Sequence, residues 1–165
     1  MAEAFNELTL PAAKAERYAV LAEEIASVLE GEPNLTARMA TVSSMLAASF
    51  ESFFWTGFYV VDPAKKRELV VGPYQGTLGC LRIAFGRGVC GTAAEAGKTQ
   101  IVPDVHAFPG HIACDSRSAS EIVVPVFGPG GDLIAVLDVD ATERAAFDEV
   151  DAEWLEKILA ATFSG

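Results

Sequence analysis

The sequence predicts an α+β domain: a central, largely antiparallel sheet flanked by helices at its N- and C-terminal ends. Three observations carry this. Two helical patterns precede any strand signal. The strands then come in hairpin-like pairs rather than alternating with helices. One amphipathic helix closes the chain.

The elements follow in order. In "PAAKAERYAVLAEEIASVLEGEP" Ala19, Leu21, Ile25 and Val28 recur near helical spacing, and Gly31 and Pro33 end the pattern. In "NLTARMATVSSMLAASF" Asn34 is placed to cap a second helix striped by Met39, Val42, Met45 and Leu46. "FFWTGFYVVD" is aromatic and β-branched, hence a strand. "RELVVGP" reads as its partner across the turn "DPAKK", and "CLRIAFG" as a third strand opened by Cys80. Gly88 to Gly91 look like a tight entry to a short helix closed by Gly97. "QIVPDV" is a brief extended segment, and "HAFPGHIACDSRSAS" has no period and reads as an ordered loop. "EIVVPVFGPGGDLIAVLDVDA" is a hairpin about a "GPGG" turn. "DEVDAEWLEKILAATF" places Val150, Trp154, Leu155 and Ile158 on one helical face. The whole chain, 1–165, thus reads as one domain: helical over about 11–50, sheet and loops over about 53–141, and a terminal helix over about 148–163.

At 165 residues and 51% hydrophobic, such a chain can bury a substantial core. A net charge of −11 with no basic patch argues against nucleic acid and anionic membrane as partners. No apolar run is long enough to span a bilayer, and "MAEAFNELTL" lacks a basic leader, so a cytoplasmic protein is expected. Three cysteines, Cys80, Cys90 and Cys114, cannot form a fully paired framework. In a reducing compartment they are inert, metal-bound or transiently redox-active.

Several patterns compete for the chemistry. His106, His111 and Cys114 could offer metal ligands, but His-x4-His-x2-Cys without a second pair fits no zinc template, and no metal is expected. "GRGVCG" spaces Gly86, Gly88 and Gly91 as GxGxxG, with Asp104 as the sole candidate ribose acid; without a βαβ unit the glycines read as bend residues. In "VLDVD" Asp138 and Asp140 share one strand face, and Glu121 begins the partner strand, so the three acids could meet at one sheet end. Trp55 and Tyr59, four apart in a strand, also share a face; core packing is their ordinary use.

The stretches "WTGFY", "GPYQG", "CLRIAFGRGVCGTAA", "DVHAFPGHIACDS", "SEIVVPV" and "VLDVD" together resemble the free methionine-(R)-sulfoxide reductases, single-domain GAF proteins. They cover most of Trp55 to Asp140, and all three cysteines fall in motif positions; Ala135 stands where the family pattern has glycine. The resemblance implies a GAF-like fold and thioredoxin-dependent reduction of free L-methionine-(R)-sulfoxide, without a cofactor. It makes Cys114 the nucleophile, Cys80 the resolving thiol and Cys90 a further thiol able to relay the disulfide. Trp55 and Tyr59 would wall the substrate methyl, and Glu121, Asp138 and Asp140 would make polar contacts to substrate. A homodimer through the N-terminal helices is compatible with the sequence. The competing readings are a GAF-type ligand sensor without turnover and, behind it, a metal-dependent hydrolase.

The residue types suit that reaction. A thiolate attacks the sulfoxide sulfur, a sulfenic acid results, and a second thiol condenses with it to a disulfide that an external dithiol reopens. The two cysteines must come within Cα separations of about 4.4–6.8 Å. Carboxylates beside a nucleophilic thiol suppress its thiolate. The expectation is therefore that one of them, Glu121, is protonated and donates to the sulfoxide oxygen. The ammonium of a free amino acid would offset the charge left on Asp138 or Asp140, which a peptide-bound residue could not do.

Overall fold

The computed structural model describes residues 2–112 and 114–165. After a one-turn helix α1 (Ala2–Asn6), outside any predicted element, come α2 (Lys14–Val28) and α3 (Leu35–Ser49). The predicted first helix is shorter than its sequence pattern, because Leu29 closes it and Gly31 turns the chain with φ of 76°. Asn34 caps α3, its side chain accepting the Ala37 N–H at 2.9 Å. The C-terminal helix α5 (Glu149–Phe163) starts on a reciprocal cap. Asp148 accepts the N–H groups of Val150 and Asp151, and Asp151 accepts the Asp148 N–H at 2.9 Å.

Six strands form one sheet: β1 (Trp55–Asp62), β2 (Lys65–Gln75), β3 (Arg82–Ala84), β4 (Gln100–Val102), β5 (Ser120–Phe127) and β6 (Leu133–Ala141). Their order is β3-β2-β1-β6-β5-β4, and every neighbouring pair is antiparallel. The turn "DPAKK" is tighter than expected. Asp62 pairs with Lys65, so only Pro63 and Ala64 lie outside the ladder and β2 begins inside the predicted turn. At its other end β2 runs through Pro73 to Gln75, where only β1 flanks it, so the missing proline N–H breaks no ladder. The third strand is a correction: β3 covers only Arg82–Ala84, and Cys80 lies two residues before it, in the loop from β2.

Residue alternation divides the sheet. Phe58, Ile122, Val124, Val126, Leu137 and Val139 face α2, α3 and α5 and form the larger core with Leu21, Ile25, Val42, Leu46, Leu155 and Ile158. Trp55, Tyr59, Val123 and Val136 face the other way. There they meet α4 (Gly88–Ala96) through Val89, Cys90 and Ala93. The three long helices thus insulate one sheet face, and α4 with two loops covers the other. No helix of the described residues is long and apolar enough to cross a membrane.

Candidate active site

The floor of the site comes from three adjacent strands in register. Trp55 pairs with Asp140 and Gly57 with Asp138 across β1 and β6, while Glu121 pairs with Asp140 and Val123 with Asp138 across β5 and β6. The period of two then lifts Trp55, Tyr59, Glu121, Asp138 and Asp140 onto one face. Glu121 and Asp138 are buried, at 5% and 4% exposure, and Asp140 is half-buried. Gly57 makes the close strand approach feasible. A Cβ there would lie 2.1 Å from the Tyr74 Cβ and 2.9 Å from the Pro73 carbonyl oxygen.

One wall is aromatic. Trp55 stacks on Tyr59 with centroids 5.5 Å apart and on Tyr74 at 4.9 Å. The loop after β2 lies against this wall: a Cβ on Gly79 would meet the Trp55 ring at 2.9 Å and the Tyr59 hydroxyl at 3.2 Å. The Trp55 indole N–H donates to the Thr77 carbonyl at 2.8 Å, fixing that loop.

The opposite wall is α4. Cys90, expected in a glycine-flanked turn, lies in the first helical turn with its thiol buried, 3.9 Å from a Glu121 oxygen. Gly91 lets the helix press against β3, since a Cβ would come 2.4 Å from the Ala84 carbonyl oxygen. Cys80 and Cys114 meet at the mouth as a disulfide across 34 residues, with Cα atoms 5.6 Å apart. A clasp parallels the bond: the Thr77 hydroxyl donates to Asp115 at 2.9 Å, and Asp115 is held in turn by Arg117 at 2.8 Å. Arg117 packs over the Phe54 ring at 4.9 Å. The enclosed room is about 40 Å³.

The electrostatics follow from burial. Glu121, Asp138 and Asp140 all hold their protons well above the ordinary carboxyl range. Desolvation is the main cause in each, and the next is a neighbouring carboxylate: Asp140 for Glu121, Glu121 for Asp138 and Asp138 for Asp140. Burial, then the charges of Asp138 and Glu121, also push the Cys90 thiol up, so it is a protonated thiol. Burial and then Asp138 raise the Tyr59 hydroxyl, which lies at the Cys80 backbone. One Asp138 carboxylate oxygen is buried with no partner, a polar group that a ligand could satisfy. The arrangement offers a bonded cysteine pair at the mouth, protonated acid on the floor and an apolar wall between.

The structure thus brings together Trp55, Tyr59, Cys90, Cys114, Glu121, Asp138 and Asp140 around one pocket, and Cys80 joins them through its bond to Cys114. It does not assemble the alternatives. His106 is exposed, with its N–H on the Asp104 side chain, and Cys114 is in the disulfide, so these two and His111 form no ligand set. Asp104 caps a short 3-10 turn and pairs with Arg144 at 3.7 Å. Sequence reasoning misses Tyr74, the Thr77–Asp115 clasp and His111 as part of this site. The His111 Nε2 lies 3.7 Å from Glu121, and burial lowers its pKa, so it is neutral there. Tyr74 stands in "GPYQG" and alternates with Gly72 and Gly76; the clasp carries no sequence signal, because its partners are 38 residues apart.

Comparison with known proteins shows what the chain as a whole is similar to. The GAF domain family matches residues 39–162. The chain is 51% identical to GAF domain-containing protein A of Dictyostelium discoideum, over 88% of this chain and 90% of that protein. It is 44% identical to the free methionine-R-sulfoxide reductase of Saccharomyces cerevisiae, over 78% of this chain and 74% of that protein. It also superposes on the crystal structure of free methionine-R-sulfoxide reductase from Neisseria meningitidis in complex with its substrate. The TM-score is 0.88 at 46% identity, covering 94% of this chain and 92% of that one.

Proposed function

The chain belongs to the GAF-domain family of free methionine-R-sulfoxide reductases, and from that premise we propose that it reduces free L-methionine-(R)-sulfoxide with Cys114 as nucleophile and Cys80 as resolving thiol. It is an oxidoreductase, as its relatives are. The observation that carries the residue assignment is the Cys80–Cys114 disulfide standing at the mouth of a pocket with an aromatic wall and an acid floor.

In this scheme the Cys114 thiolate attacks the sulfoxide sulfur while Glu121, protonated by burial, donates to the sulfoxide oxygen. Methionine departs as Cys114 becomes a sulfenic acid. The Cys80 thiol then attacks the Cys114 sulfur, the S–O bond breaks, and the oxygen leaves as water. A thioredoxin-type dithiol returns both cysteines to thiols. Trp55 and Tyr59 hold the methyl group and so favour one sulfur epimer; Asp138 and Asp140 take the substrate ammonium, with the unpartnered Asp138 oxygen as its acceptor. Cys90 lies on the α4 wall rather than at the mouth, so a relay through it requires its buried sulfur to move; direct Cys80–Cys114 pairing suffices for a two-cysteine cycle.

In the disulfide state the remaining 40 Å³ holds a few waters and no amino acid. Bond formation across the mouth therefore excludes a second substrate until the reductant has acted. A sensor without turnover has no use for paired thiols at the mouth of its pocket.

The test is NADPH consumption with thioredoxin, its reductase and each epimer of free methionine sulfoxide. Turnover of the R epimer is expected, lost in Cys114→Ser. Undiminished turnover by that variant overturns the assignment.

A further inference from the structure

The roof loop carries an anomaly that the reaction at the floor does not use. Among the described residues five large hydrophobic side chains are exposed, and three of them flank the disulfide: Leu78 at 79%, Leu81 at 71% and Ile112 at 38%. Leu78 and Leu81 bracket Cys80, and Ile112 lies two residues before Cys114. A single exposed leucine needs no explanation, but a cluster at a reactive bond does. Nor is the loop loosely placed. Thr77 is held by the Trp55 indole at 2.8 Å and by Asp115 at 2.9 Å, and the Leu81 carbonyl accepts the Val71 N–H at 2.9 Å. Gly79 lies on the aromatic wall between them, so the inner side of the loop is taken. Leu81 is therefore presented outward by a pinned segment, and Leu78, also largely exposed, stands at the rim of the pocket.

We propose that Leu78 and Leu81 form the docking surface for the protein dithiol that reduces the Cys80–Cys114 disulfide, and that they steer its attacking thiolate to the sulfur of Cys80. This rests on the reductase reading above. The occupant follows from the chemistry. A disulfide at the mouth of the pocket must receive two electrons each cycle, and a protein reductant has to seat its own thiol within bonding distance. Brief redox encounters of this kind use small interfaces with an apolar centre and a polar rim. Charged residues of both signs adjoin the cysteine segments in sequence: Arg82 follows Leu81 and pairs with Asp62 at 2.6 Å, and Asp115 follows Cys114 and pairs with Arg117 at 2.8 Å.

The partner thiolate bonds to the Cys80 sulfur, the Cys80–Cys114 bond breaks, and Cys114 leaves as the thiolate that the next substrate needs. The partner's second thiol, losing its proton, attacks the mixed disulfide. Cys80 leaves and is protonated, and the partner departs as a disulfide. Two electrons pass from partner to protein, and no other reactant is required.

Leu81→Asp tests the surface, since Leu81 stands outside the pocket wall. Turnover is measured with a thioredoxin, its reductase and NADPH, and separately with dithiothreitol, which is too small to need a docking surface. The expected result is a KM for thioredoxin raised at least tenfold, restored by Leu81→Met, with dithiothreitol-driven turnover within twofold of the unsubstituted protein. An unchanged thioredoxin KM overturns the proposal, as does an equal loss with both reductants. A thioredoxin whose second active-site cysteine is serine should be trapped on Cys80 by peptide mapping; trapping on Cys114 overturns the steering. If the unsubstituted protein fails to turn over with dithiothreitol, the reductase reading falls instead, and this proposal with it.

Discussion

In the proposed reaction Glu121 is the side chain on which proton supply depends. Its pKa is raised first by burial and then by Asp140, so at neutral pH it is a donor where an exposed glutamate would be an acceptor. Glu121→Gln keeps the shape and loses the transferable proton. Its kcat with free methionine-(R)-sulfoxide should fall about 100-fold or more, read by stopped-time methionine formation, while substrate affinity of the reduced protein is largely kept. For the parent protein, kcat should decline as pH rises through that raised pKa, because the donor form is then titrated away. At this scale the sequence is informative about residue types and alternation: the period of two in "VLDVD" is enough to put two acids on one face. It does not reveal that they are buried, since burial is set by α4 and the two loops, which arrive from elsewhere in the chain. His111 illustrates the same limit, because its proximity to Glu121 depends on how an aperiodic loop folds back.

At the scale of elements, β6 is the clearest case of legible structure. Strict alternation assigns Leu137 and Val139 to the core and Asp138 and Asp140 to the site, and the register with β1 and β5 does this. The third strand is shorter than its pattern because "CLRIAFG" alternates beyond the three residues that find a partner on β2. Pairing, not propensity, sets strand length there. The β1–β2 junction makes a sharp prediction. A methyl group at position 57 would collide with the backbone of β2 at 2.7 Å as well as with the Tyr74 Cβ, and neither can rotate away. Gly57→Ala should cost about 3 kcal/mol, the upper end of overpacking penalties, and tilt the Trp55–Tyr74 stack. Chemical denaturation and near-ultraviolet circular dichroism of the variant would report both.

At the scale of the whole molecule, α2 and α5 are locked together by Asp151, which is 1% exposed. It accepts the Tyr18 hydroxyl at 2.6 Å and the Lys14 ammonium at 2.8 Å while also closing its own helix cap. Asp151→Ala leaves a buried hydroxyl without a partner and removes a cap, together about 3 kcal/mol. A thermal scan should show Tm lower by about 10 °C. The acid floor also gives stability a pH dependence of unusual sign. Glu121, Asp138 and Asp140 hold protons more tightly folded than unfolded, so unfolding releases protons above the unfolded carboxyl pKa of about 4. Their effect is to lower stability as pH rises toward the raised folded values. His111, its pKa lowered, gives the opposite slope, but only below about 6.5. The acid floor of the oxidised, ligand-free protein should therefore contribute a loss of stability as pH rises above about 4, and Glu121→Gln should flatten that trend in denaturant titrations. Helix order, sheet class and the helix-capping residue Asn34 are all legible in the sequence, because they are written in local periods; the Tyr18–Asp151 lock spans 133 residues and leaves no local trace.

The strands that carry the acids on one side carry the principal core on the other. A floor of this kind cannot flex without breaking Leu137 and Val139 out of the helices behind it. Amide protons on β1, β5 and β6 should thus exchange with deuterium at the slowest rates in the molecule, whatever the redox state. Accommodation of an incoming amino acid then falls to the roof, and exchange in the segment from Thr77 to Leu81 should quicken when the sulfur–sulfur tether is cut.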